Sequence, residues 1–128
     1  MPDSLGSGGY PRAPRWKVVI AMSPEPLVVL CTCPNNTVAA EIATALIAQR
    51  LAACVNRITG VKSWYRWEDK IQQDDEVLLV IKTVAARLPE LETAIGALHP
   101  YEVPEVIALP VTAGAAAYLG WITASTTS

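Results

Sequence analysis

Histidine is nearly absent from this chain: one residue, His99, supplies all of it. Any imidazole chemistry therefore rests on a single ring. Charge is scarce too, at 17% of residues against a usual share of about 25%. With 52% of residues hydrophobic, the composition implies apolar surface covered between subunits. An excess of cations is also lacking. The formal charge is −2, so nothing electrostatic points to nucleic acid. No apolar run approaches the roughly 18 residues of a membrane span, and no membrane partner is expected. The brief run at residues 18–22 is shorter than a signal peptide's core of about 7–15 residues. Three cysteines, an odd number without an export signal, favour free thiols in a reducing compartment, so the expected location is cytoplasmic. A Gly-rich phosphate loop, a nucleophile elbow, a zinc-protease motif and an EF-hand loop are all missing. The chain is accordingly expected not to be an enzyme, and no catalytic residue is assigned.

What is present falls into an ordered pattern. Residues 1–26, rich in Pro and Gly, read as a flexible N-terminal extension, and residues 27–128 as one domain. An unbroken apolar run at 27–32 reads as a strand ended by Pro34. Asn36 or Thr37 caps a helix with Glu41 in its first turn and Val38, Ile42, Ala45 and Leu46 on one face. Residues 53–67 carry the period-two signature of a strand, with Gly60 marking a bulge or bend. A polar turn at 68–70 returns the chain through a strand at 71–83, which makes a long hairpin. A second helix follows, with Pro89 in its first turn and Leu88, Leu91, Ile95 and Leu98 as its buried stripe. Pro100 ends it, and residues 106–111 give another strand. Tyr118, Leu119, Trp121 and Ile122 recur at helical spacing in a short C-terminal helix, after which residues 125–128 should fray.

The order βαββαβ predicts an α+β, ferredoxin-like domain. Two helices cover only one face of a four-stranded sheet, yet three strands are apolar on both faces. A hairpin arm of about fifteen residues would also span roughly 50 Å, past an ordinary sheet. Both features predict sheet-to-sheet association and a homo-oligomer.

Cys31 and Cys33 lie two apart on a strand, so both thiols share one face. Thiolate and imidazole ligands suit soft or borderline ions such as Cu(I), Cu(II) or zinc. The competing reading for both cysteines is packing, since cysteine is among the most buried residues. His99 ends a helix, where a bond to nearby backbone competes with a ligand role. Glu102 and Glu105 do not form a chelate with it in an extended chain, which would put His99 and Glu105 about 20 Å apart. Asp74, Asp75 and Glu76 read as a solvated strand entrance. Tyr65, Trp67, Lys82, Tyr101, Glu102 and Glu105 are the candidates for lining a cleft that takes a small-molecule ligand.

Four segments in order, Leu51-Ala52-Ala53-Cys54-Val55-Asn56, Ser63-Trp64-Tyr65-Arg66-Trp67, Ile81-Lys82-Thr83 and His99-Pro100-Tyr101-Glu102-Val103-Pro104-Glu105, resemble the CutA family of divalent-cation tolerance proteins. The resemblance covers about residues 27–122. It implies a ferredoxin-like domain in a tight homotrimer, generally cytoplasmic in bacteria and similar in architecture to PII-type signalling trimers. It also implies copper ligands, namely a cysteine at the end of the first strand and a His-His pair before Pro-Tyr. Cys31 matches the cysteine and His99 the second histidine, while Leu98 occupies the position of the first. The expected metal ligands are thus Cys31 and His99, holding copper or a similar divalent cation weakly, with no cofactor required for folding. The function so implied is a trimeric protein of the response to metal ions. The alternatives are a PII-like module holding a small anionic ligand in inter-subunit clefts, or a structural trimer docking a partner protein.

Overall fold

The computed structural model describes residues 18–20 and 25–127. Its elements run β1 (Val18–Ile20), β2 (Pro26–Cys33), α1 (Asn36–Ala48), β3 (Cys54–Trp67), β4 (Lys70–Val84), α2 (Leu88–Leu98), β5 (Ile107–Pro110), β6 (Ala113–Ala115) and α3 (Ala116–Ser125). A 3-10 turn at Ala85–Arg87 leads into α2. The main sheet is antiparallel in the order β3-β4-β2-β5, the split-βαβ arrangement expected.

Strand alternation divides this sheet into two unlike faces. Cross-strand pairs Val29–Ile81, Cys31–Leu79 and Cys33–Val77 point to one side. There they meet Ala39, Ile42 and Leu46 of α1 and Leu91 and Ile95 of α2 in one buried core. Val28, Leu30, Leu78 and Val80 point the other way and are only half-buried. Ile58, Ile107 and Leu109 share that second face by register and are about half exposed. One side of the sheet is therefore a closed core, and the other an apolar surface.

The hairpin carries the two backbone devices its length requires. Thr59 and Gly60 together oppose Val77, a bulge at the glycine singled out from sequence, where φ is +79°. At the tip, Glu68 and Asp69 take φ of 50° and 63°, the pair of positive values of a two-residue turn matched to strand twist. β2 pairs with β4 only from Val77 to Val84, so the hairpin beyond is a two-stranded ribbon. Trp64, Trp67 and Ile71 stand exposed on it.

Several local expectations change. Asn35, not Asn36 or Thr37, caps α1: its Oδ1 accepts the Val38 N–H at 2.9 Å. Glu41 consequently falls beyond the first turn. In α2 the buried stripe runs Leu91, Ile95 and then His99, four residues apart, and Leu98 is 39% exposed. Leu98 instead borders a groove between α1 and α2 with Ala45, Leu51 and Ala94. The chain end does not fray at 126, because Thr126 is buried and its hydroxyl donates to the Ile122 carbonyl at 2.9 Å. Val18–Ile20, within the stretch expected to be flexible, pairs antiparallel with Ala113–Ala115. The other residues of that stretch, apart from Glu25 and Pro26, lie outside the described residues.

Candidate metal centre

Period two on β2 and the exit of α2 build the site together. Cys31 and Cys33 face the helices and are fully buried. Pro100 holds His99 in an extended conformation, φ −81° and ψ 134°, so α2 stops there and the ring turns back under the sheet. The His99 N–H still donates to the Ile95 carbonyl at 2.8 Å, which keeps the residue anchored to the helix end. The sulfur atoms of both cysteines and a ring nitrogen of His99 all lie within 4.8 Å of one another.

Backbone groups fix the state of the ring. His99 Nε2 is 2.8 Å from the Thr32 carbonyl oxygen, which only accepts, so Nε2 carries the proton. Nδ1 accepts the Tyr101 backbone N–H at 3.2 Å, so it is unprotonated. The imidazole is thereby a neutral, fully engaged group, 7% exposed, with the Tyr101 ring 4.6 Å away. An ion reaching either nitrogen must displace one of these bonds, which lowers its net affinity.

The two thiols act on each other. Donation to Cys33, burial, and the carboxylates of Glu105 and Glu76 push the Cys31 pKa far up. Accepting that bond draws the Cys33 pKa down against the opposing effect of burial.

Beside this cluster, Tyr101 donates its phenol to Glu76 Oε2 at 2.9 Å. Burial first, then that bond, raise the phenol's pKa and keep it protonated. Tyr65 donates to Asp74, which likewise raises its pKa. Partial burial, followed by the Glu76 charge, raises the Glu105 carboxyl above its ordinary value. Of the expected cleft residues, Tyr65, Tyr101 and Glu105 thus gather around Asp74 and Glu76. Trp67 sits apart at the hairpin tip, paired with Lys70. Lys82 bonds Asn56 instead, about 20 Å along β4 from Glu76. Glu102 is exposed.

Sequence reasoning set Cys33 on the right face but left it out of the expected ligands, although its i, i+2 spacing from Cys31 was the available signal. It also read Asp74 and Glu76 as merely solvated. Their tyrosine partners lie 9 and 25 residues away, and nothing local announces such pairs.

The comparisons agree with this architecture. Residues 27–125 match the family described as CutA1 divalent ion tolerance protein. The chain is 48% identical over 99 residues to the divalent-cation tolerance protein CutA of Thermus thermophilus, covering 77% of this chain and 96% of that protein. It is 53% identical over 91 residues to Protein CutA of Homo sapiens, covering 71% of this chain but only 51% of the human protein, so it spans about half the length of that relative. The crystal structure of CutA1 from Oryza sativa superposes with a TM-score of 0.79 at 45% identity, covering 80% of this chain and 94% of that one. The Thermus thermophilus structure gives 0.78 at 46% identity, covering 80% and 99%. Relatives include a protein named chloroplastic and one named periplasmic. No helix among the described residues is long and apolar enough to cross a membrane. From Leu27 onward, the chain belongs to the CutA1 divalent ion tolerance family.

Proposed function

We propose that this chain is a homotrimeric, cytoplasmic, non-enzymatic protein of metal-ion tolerance that binds copper or a similar ion weakly through Cys31 and His99. The observation that carries the reading is the buried convergence of thiol and imidazole at the end of β2. Sulfur and neutral ring nitrogen are the donors that soft and borderline metals prefer. Leu98 does not count against the assignment, because it borders the α1–α2 groove and a ligand lost there takes nothing from the cluster. The bound metal would supply its own charge and ligand affinity; the chain supplies the donors and a buried enclosure. Folding without metal follows from the hydrogen bonds His99 already makes.

The homotrimer is supported by the apolar second face of the sheet and by the unpaired ribbon of the hairpin. A two-stranded ribbon is marginal in water on its own, and neighbouring subunits would bury its aromatics. The anionic-ligand alternative is disfavoured by charge. The candidate cleft residues that come together surround Asp74, Glu76 and Glu105, which repel an anion, while Lys82 is held elsewhere.

The test is titration of the apo protein with Cu(I) and with Cu(II), alongside the Cys31→Ser/His99→Ala double variant. Loss of binding in the variant supports the assignment; unchanged affinity removes both ligands from it.

A further inference from the structure

We infer that Cys33 is a second sulfur ligand, and that Cys31, Cys33 and His99 form a closed three-donor site for a thiophilic monovalent cation of the Cu(I) or Ag(I) class. The inference rests on the reading that Cys31 and His99 hold a metal, and deepens it by adding a ligand and naming the class of ion.

Geometry brings Cys33 in. It shares the helix-facing side of β2 with Cys31, is just as fully buried, and its sulfur lies within the same 4.8 Å cluster as the His99 ring nitrogen. Packing alone accounts for one buried cysteine on this face. It does not account for two thiols and the chain's single histidine meeting at one point in a core otherwise built of aliphatic side chains.

The number of donors then selects the ion. Among the described residues, no fourth His, Cys, Asp or Glu joins the cluster. Closed zinc sites take four protein ligands, so three donors would leave zinc needing a water, and calcium and magnesium take six or more oxygens. Cu(II) favours tetragonal nitrogen and oxygen donors. Soft sulfur ligands select Cu(I).

The state of His99 sets the order of importance. Both ring nitrogens are engaged with backbone, so the imidazole must surrender a hydrogen bond of ordinary length to ligate, whereas the Cys31 thiol gives up only a 3.8 Å contact with the Thr32 carbonyl. The two sulfurs therefore carry most of the affinity, and the imidazole adds the third bond.

The experiment uses the full chain with Cu(I) supplied anaerobically against a chromophoric Cu(I) chelator, and in parallel with Zn(II). The expected results are one Cu(I) per chain, preferred over Zn(II), with affinity reduced about 100-fold or more in Cys33→Ser. X-ray absorption on the Cu(I)-loaded wild-type protein, which needs no variant to fold, should count two sulfurs and one nitrogen. A single sulfur in that spectrum, with wild-type affinity in Cys33→Ser, overturns the inference while leaving Cys31 and His99 in place. Preference for Zn(II) overturns the assigned class of ion. Wild-type binding in both Cys33→Ser and the Cys31→Ser/His99→Ala variant overturns the inference together with the reading beneath it.

Discussion

His99 and Thr32, 67 residues apart in sequence, are joined by a 2.8 Å hydrogen bond from the imidazole Nε2 to the carbonyl oxygen. That bond ties the exit of α2 to the last residues of β2. It also places the ring beside both thiols, so one side chain serves the fold and the candidate metal centre at once.

Replacing His99 should therefore cost stability without any metal present. His99→Ala removes a buried ring and its bonds to Thr32 and Tyr101. A loss of about 2–4 kcal/mol is expected from the cavity and the unsatisfied backbone groups. Urea unfolding of the metal-free protein, at matched chain concentration, measures it.

Glu105 gives a pH dependence of defined sign. Partial burial, and then Glu76, raise its folded-state pKa above the ordinary 4.5. A raised folded value favours the protonated form, so this contribution is complete below the ordinary value and is lost as pH rises through the folded one. Glu105→Gln should escape that loss. Its stability relative to wild type should rise between about pH 4 and pH 7, by less than about 1 kcal/mol because the group is largely exposed. Denaturation midpoints at the two pH values check both sign and size.

Gly60 tests the hairpin. A β-carbon there meets nothing within 4 Å, so Gly60→Ala creates no clash. The cost comes from φ of +79° alone and should be about 1–2 kcal/mol. A thermal scan detects it, and a neutral result would mean that the bulge relaxes.

The apolar face of the sheet tests assembly. Ile58→Lys and Leu109→Lys place charges on half-exposed positions outside the α1–α2 core. Each should leave the chain folded by circular dichroism yet shift sedimentation from the proposed trimer toward monomer. Wild-type assembly in both variants would move the interface elsewhere.

What was legible in the sequence was local. The period of β2, the bulge at Gly60 and the stop at Pro100 all follow from neighbours within four residues, and they yield the strand and helix order of the four-stranded sheet. Small register choices were less secure: Asn35 and Asn36 are both good caps, and only backbone geometry decides between them. Leu98 looked buried because it is apolar, but the stripe through Leu91 and Ile95 continues to His99. The meeting of His99 with Cys31 and Cys33 was not legible. It depends on two elements more than sixty residues apart ending at the same edge of the core. The short pairing of Val18–Ile20 with Ala113–Ala115 was hidden for the same reason.

The most direct test of the metal-binding account exploits the chain's single histidine, whose ring nitrogens give one unambiguous set of nitrogen-15 signals. In the metal-free protein they should report a neutral ring protonated at Nε2. On titration with Cu(I), one ring nitrogen should shift and saturate at one ion per chain, and the shift should vanish in Cys31→Ser. Ring signals that stay unchanged to saturation would contradict the account.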